Sequence, residues 1–109
     1  MKTTAILGAL LLATGVVSVR AADVAANWEQ HCTKCHGADG KGETKMGKKA
    51  GVKDYTDAKV QAEIKDDAAF KAVKEGIKED GKEKMKPYGD KLSDDEIKAL
   101  VTHIRTFKK

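Results

Sequence analysis

The sequence predicts an all-α protein of about four helices, on three observations. Apolar residues recur at helical spacing in four segments. The last of these opens with a complete capping box at Ser93-Asp94-Asp95-Glu96. Nothing along the chain reads as a convincing strand, and 109 residues suit a single domain.

The chain begins Met1-Lys2-Thr3-Thr4 and runs almost wholly apolar and small from Ala5 to Val19. A basic start, an apolar run too short to span a bilayer comfortably, and small residues at Val19 and Ala21 read as a secretory signal peptide, 1–21. An uncleaved anchor is the competing reading, since Thr3 and Thr4 lengthen the run. Cleavage after Ala21 leaves one domain, 22–109, of 88 residues. Loss of Lys2 and Arg20 takes the 21 basic residues to 19 against 17 acidic ones, a net charge of +2. With no Arg-rich stripe or interleaved aromatics, this balance argues against a nucleic-acid binder.

The first helix is expected from Asp23, as N-cap, to His31, with Val24, Trp28 and Cys32 spaced four apart on one face. Five glycines and four lysines between Gly37 and Gly51 read as loop. A short helix follows at Asp57–Ile64, with Val60 and Ile64 on one side. The next, Asp66–Glu75, carries the stripe Phe70, Val73 and Ile77, and Gly76 suits its stop. From Ile77 to Leu92 the chain is polar and turn-rich and reads as a compact loop. The final helix places Ile97, Leu100, Val101, Ile104 and Phe107 on one face.

So small a domain buries little surface and often needs a staple. The two cysteines allow only one disulfide, so another group is expected in the core. Cys32-Thr33-Lys34-Cys35-His36 is the C-x-x-C-H signature of c-type haem attachment. In that chemistry the two thiols add to the two haem vinyl groups as thioethers. The adjoining His36 is then carried under the iron as an axial ligand. Three other readings compete. A thioredoxin-like pair belongs after a strand, and none precedes Cys32. A structural zinc site wants four ligands, and His31, Cys32, Cys35 and His36 would leave no second ligand pair elsewhere to staple. A plain disulfide leaves the adjacent histidine without a role.

With these residues in view, the chain resembles the class I monohaem c-type cytochromes over roughly Ala22 to Phe107. The haem motif near the start, Met85-Lys86-Pro87-Tyr88 well downstream and a final amphipathic helix stand in that family's order. Trp28 sits where the family commonly has an aromatic packing the first helix across the last. The resemblance implies a cytochrome c fold, with helices wrapped round one covalently attached haem c. Two departures stand out. No proline follows closely on the motif to support the His36 ring, Pro87 being the only one. His103 occupies a last-helix position that often carries an aromatic.

The sixth iron ligand decides between electron transfer and catalysis. Met46 is ten residues from His36 in a Gly/Lys loop, a poor position for the opposite haem face. Met85 lies in the loop before the last helix, flanked by Lys84 and Lys86, which argues against burial for its own sake. Met85 is therefore the expected ligand, and Met/His ligation raises the reduction potential. His103 is expected to pack near Trp28, and His31 to lie at the surface.

These expectations add up to a soluble, monomeric one-electron carrier of the bacterial periplasm, and a carrier rather than an enzyme because both axial positions are filled. The resemblance implies redox protein partners: a membrane quinol-oxidising complex or dehydrogenase as donor, an oxidase or reductase as acceptor. With the signal cleaved, no stable membrane insertion is expected. A haem peroxidase or gas sensor with a labile Met85 bond is the alternative. Lys34, Lys41, Lys45, Lys48 and Lys49, with Lys82, Lys84, Lys86 and Lys91, would form a positive rim for an acidic partner if both groups border the haem edge. Glu43, Glu83 and Asp90 dilute it.

Overall fold

The computed structural model describes residues 21–109, so the expected signal peptide lies outside the described residues apart from Ala21. Helices run in the order α1 (Ala21–His31), α2 (Thr33–His36), α3 (Lys45–Ala50), α4 (Ala58–Glu63) and α5 (Asp66–Glu75). An antiparallel hairpin, β1 (Ile77–Glu79) and β2 (Lys82–Met85), precedes the last helix, α6 (Asp94–Arg105). No described helix is long and apolar enough to cross a membrane.

The amphipathic stripe of α6 organises the rest. Ile97, Leu100, Val101 and Ile104 are all buried, and α6 packs against both α1 and α5. Ile97, Leu100 and Ile104 join Trp28, Cys32, Val73 and Leu92 in one apolar cluster, each large aliphatic side chain contributing about 1.5–3 kcal/mol by burial. Val24, Tyr55, Phe70, Met85, Tyr88 and Phe107 close around it. The expected α1 face is therefore the one that is buried. Asp23, however, lies within the first turn of α1 rather than before it.

The capping box forms as expected. The Glu96 amide donates to Ser93 Oγ at 3.1 Å, and the Ser93 amide donates to Glu96 Oε1 at 3.0 Å. The second oxygen of Glu96 accepts from Asn27 Nδ2 at 2.9 Å, which ties the start of α6 to α1.

Three expectations need correction. The Gly/Lys stretch contains a helical turn and a half, α3, capped by Thr44 Oγ1, which accepts from the Gly47 amide at 2.9 Å. The compact loop before α6 contains the hairpin. Its strands are mostly polar, with Ile77 and Met85 as the apolar residues at their paired ends, so they carry no apolar alternation, and the two-residue turn Asp80-Gly81 at φ 53° and 75° is what specifies them. Lys78 faces Glu83 and Glu79 faces Lys82, opposite charges across the ladder. Finally, Ile77 belongs to β1 and is 36% exposed, so the α5 stripe ends at Val73. On α4 the buried residue is Gln61, at 6% exposure, while Val60 and Ile64 are half-buried.

Candidate functional site

The end of α1 and the whole of α2 form a single winding of chain. The Cys32 amide donates to Trp28 O at 2.9 Å, and the amides of Cys35 and His36 both donate to Cys32 O, at 3.3 and 2.9 Å. Residues three and four apart on such a turn share a face, so both thiols and the imidazole project from one side. Cys32 is buried and Cys35 half-buried, and both are free thiols.

Burial among apolar side chains pushes the Cys32 thiol up to about 12, with a smaller contribution from Cys35. Burial thus disfavours the thiolate that metal binding or disulfide exchange requires. A thioether carries no charge and fits the same apolar surroundings without that penalty.

Close backbone approach sets the outer side of the turn. Thr44 Oγ1 donates to Cys35 O at 2.7 Å, and a Cβ on Gly47 would collide with the same carbonyl. Only a residue without a side chain lets α3 lie against the turn. The Gly42 amide donates to His36 O at 2.8 Å, and the Tyr55 amide to Gly40 O at 2.8 Å, which folds the loop back over the histidine.

The His36 ring is held by aromatic surfaces. Tyr55 stacks on it with ring centroids 5.2 Å apart and planes 21° from parallel, and Trp28 sits 5.6 Å away. Burial lowers the His36 pKa, favouring the neutral imidazole that ligates a metal. Its Nδ1 is buried without a hydrogen-bond partner among the described residues. A metal-bound histidine ordinarily donates its second nitrogen to a carbonyl or carboxylate. Here the Tyr55 ring lies against the imidazole, and no carbonyl or carboxylate among the described residues accepts from its Nδ1. Trp28 Nε1 is satisfied by Gly37 O at 3.1 Å, and the indole also meets His103 at 5.3 Å and Phe107 at 5.0 Å.

Met85 ends β2 and packs against the cluster that contains Cys32, whereas Met46 is 45% exposed on α3. Gly76, at φ 77°, carries the chain past the Met85–Pro87 segment. A Cβ there would lie 2.6 Å from Met85 O and 2.9 Å from Pro87 N. Beyond it, the amides of Tyr88 and Gly89 donate to Val73 O and Lys74 O at 2.9 and 3.0 Å. Tyr88 Oη donates to His31 O at 3.0 Å. The Met85 segment is thus anchored to α5 on one side and to the entry of the cysteine turn on the other. His31 is half-buried, its ring 5.5 Å from Tyr88, rather than at the surface.

Two residues were not singled out from sequence. Tyr55 follows a polar loop without periodicity; its one signal is being an aromatic in a chain with only five after the leader. Gln61 carries no sequence signal, because its partners are two backbone carbonyls and the distant Arg105.

The thiol pair, the neutral imidazole and the apolar lining fit a covalently attached haem. Comparison with known proteins agrees. The model of the family described as cytochrome c oxidase, cbb3-type, subunit III matches residues 19–104. A solved structure of the KustC0563 c-type cytochrome is 38% identical with a TM-score of 0.70, covering 78% of this chain and 96% of that one. A tyrosine-to-phenylalanine variant of the same cytochrome is 37% identical with a TM-score of 0.69, covering 79% and 99%. No curated protein sequence matches the chain.

Proposed function

The chain belongs to the family described as cytochrome c oxidase, cbb3-type, subunit III and is a monohaem c-type cytochrome, and from that premise we propose that it is an exported, soluble one-electron carrier. In this reading Cys32 and Cys35 would hold the haem c as thioethers, and His36 and Met85 would ligate its iron. Bound there, the haem supplies a reversible one-electron iron couple whose potential methionine ligation raises. The observation that carries the reading is the shared apolar cluster: Cys32 belongs to it and Met85 packs on it, while Met46 stands in solvent.

The remaining residues act on access and orientation. Tyr55 and Trp28 keep the imidazole oriented and exclude water from it. The Tyr88 and Gly89 bonds hold the Met85 segment in place, which favours a filled sixth position and electron transfer over chemistry at iron. Lys34, Lys45, Lys48, Lys49, Lys82, Lys86 and Lys91 are exposed, as a rim for an acidic redox partner requires. The ion pairs Lys71–Glu75, Lys74–Asp94 and Arg105–Asp66 engage other residues. The apolar leader and the covalent haem support export to the bacterial periplasm, and the family supports redox protein partners, of which a quinol-oxidising complex, dehydrogenase, oxidase or reductase is the reading here.

The test is the spectrum of the natively matured protein. A covalent haem surviving denaturation, with a low-spin oxidised form and the Met–Fe(III) charge-transfer band, is the expected result. A high-spin oxidised form would instead favour a peroxidase or gas sensor, and a colourless chain would remove the haem assignment.

A further inference from the structure

Gln61 is the buried polar side chain among the described residues, and all of its bonds lead away from its own helix. Its Nε2 donates to Tyr55 O at 2.7 Å and to Ile104 O at 2.8 Å. Its Oε1 accepts from Arg105 Nη1 at 3.0 Å. Arg105 in turn donates to Gln61 O at 2.7 Å, to Ile64 O at 2.6 Å and to Asp66 Oδ1 at 2.8 Å. A buried side-chain amide whose nitrogen and oxygen are both partnered rigidifies what it touches.

What this network touches is Tyr55. The Tyr55 backbone is gripped twice, its carbonyl by Gln61 and its amide by Gly40 O. Gly40 is itself pinned, since a Cβ there would lie 2.7 Å from the Phe107 ring. The Tyr55 ring is consequently delivered onto His36 by the backbone on either side of it. His36 has no hydrogen bond to its Nδ1 among the described residues, so its orientation depends on this ring contact more than a hydrogen-bonded ligand's would. Groups that orient a metal ligand tune the metal.

We propose that Gln61 is a positioning residue for the axial histidine, acting through Tyr55 to set the orientation of His36 and with it the reduction potential. The link runs from the end of α6, through Arg105 and Gln61, to a ring the cysteine turn presents. It rests on His36 being an iron ligand.

The experiment is a double-mutant cycle on the haem-loaded protein, reading reduction potential and the hyperfine-shifted imidazole proton resonances of His36. Gln61→Met keeps the volume and removes both donors. It is expected to shift the potential and those resonances, and most of both shifts should vanish when the change is made in a Tyr55→Leu background. Val101→Ala, which loosens a buried α6 position outside this network, should lower the melting temperature without moving the potential. If Gln61→Met does not fold, Arg105→Lys keeps the charge, breaks the fork and should shift the potential in the same sense by less. An unmoved potential, a shift equally large without Tyr55, or a Val101→Ala shift that tracks stability would each overturn the proposal. Failure of the ligand assignment looks different: the unmutated protein would then lack the imidazole resonances altogether.

Discussion

Tyr88 donates its hydroxyl to the carbonyl of His31 at 3.0 Å, joining the segment that follows Met85 to the last residue of α1. The bond spans 57 positions of sequence and lands immediately before Cys32. Tyr88→Phe removes it while keeping the ring. The expected cost is about 1 kcal/mol of stability. The more telling effect is on Met85: its charge-transfer band should disappear at a lower temperature than in the parent, read by near-infrared absorption against far-ultraviolet circular dichroism.

Met85→Ala should abolish the charge-transfer band and lower the reduction potential, whereas Met46→Ala should leave both in place. Near-infrared spectroscopy and protein-film voltammetry measure the two. An unchanged Met85→Ala spectrum would mean that another group completes the coordination.

Gly47→Ala puts a methyl group against the Cys35 carbonyl and 2.7 Å from Gly42 O, both of them backbone atoms that have little room to yield. Overpacking of this kind costs about 1–3 kcal/mol. Since the strain falls on the cysteine turn, the fraction of chain recovered with covalent haem should drop along with the melting temperature. Gly81→Ala, with open space around it, should show a smaller loss that leaves haem loading intact.

The Ser93 and Asn27 hydrogen bonds hold the Glu96 carboxyl below its usual value of 4.5. The folded protein therefore binds this proton more weakly than the unfolded chain does. Its contribution to stability is complete above pH 4.5 and fades as pH falls through the lowered value. Glu96→Gln should flatten that acid limb in a plot of melting temperature against pH. Ser93→Ala should cost about 1 kcal/mol at neutral pH.

Electron transfer to an acidic partner should slow as ionic strength rises, and charge reversal at Lys48 and Lys86 together should weaken that dependence. Stopped-flow rates across a salt series decide it; a flat series would dismiss the lysine rim.

Legibility from sequence tracked how local the cause was. The α6 helix could be read nearly to the residue, because its capping box and apolar stripe lie within its own span. The C-x-x-C-H turn was equally plain, since three chemical groups sit within five residues. Trp28 and His103 are expected near each other because the family resemblance sets Trp28 across the last helix and His103 adjoins that helix's apolar face, and they lie 5.3 Å apart. The hairpin reads as loop because its apolar residues, Ile77 and Met85, stand only at the strand ends and Asp80-Gly81 alone announces it. Tyr55 and Gln61 were invisible for a different reason. Tyr55 acts through a ring contact with His36, and Gln61 through the carbonyls of Tyr55 and of Ile104, the latter 43 residues away, which no periodicity encodes.

The ladder of the hairpin slips by one residue between Ile77 and Lys78, so that Ile77 pairs with Met85 instead of Lys84. Paired residues on neighbouring strands project to the same side, and the side alternates with every step. Relatives of this chain could therefore lengthen or shorten the hairpin by two residues at a time with the thioether still aimed inward. A gain or loss of one would exchange it for a lysine ammonium. Parity in the spacing between Gly76 and Met85 is thus a trait that natural variation should respect, even where the residues between them drift freely.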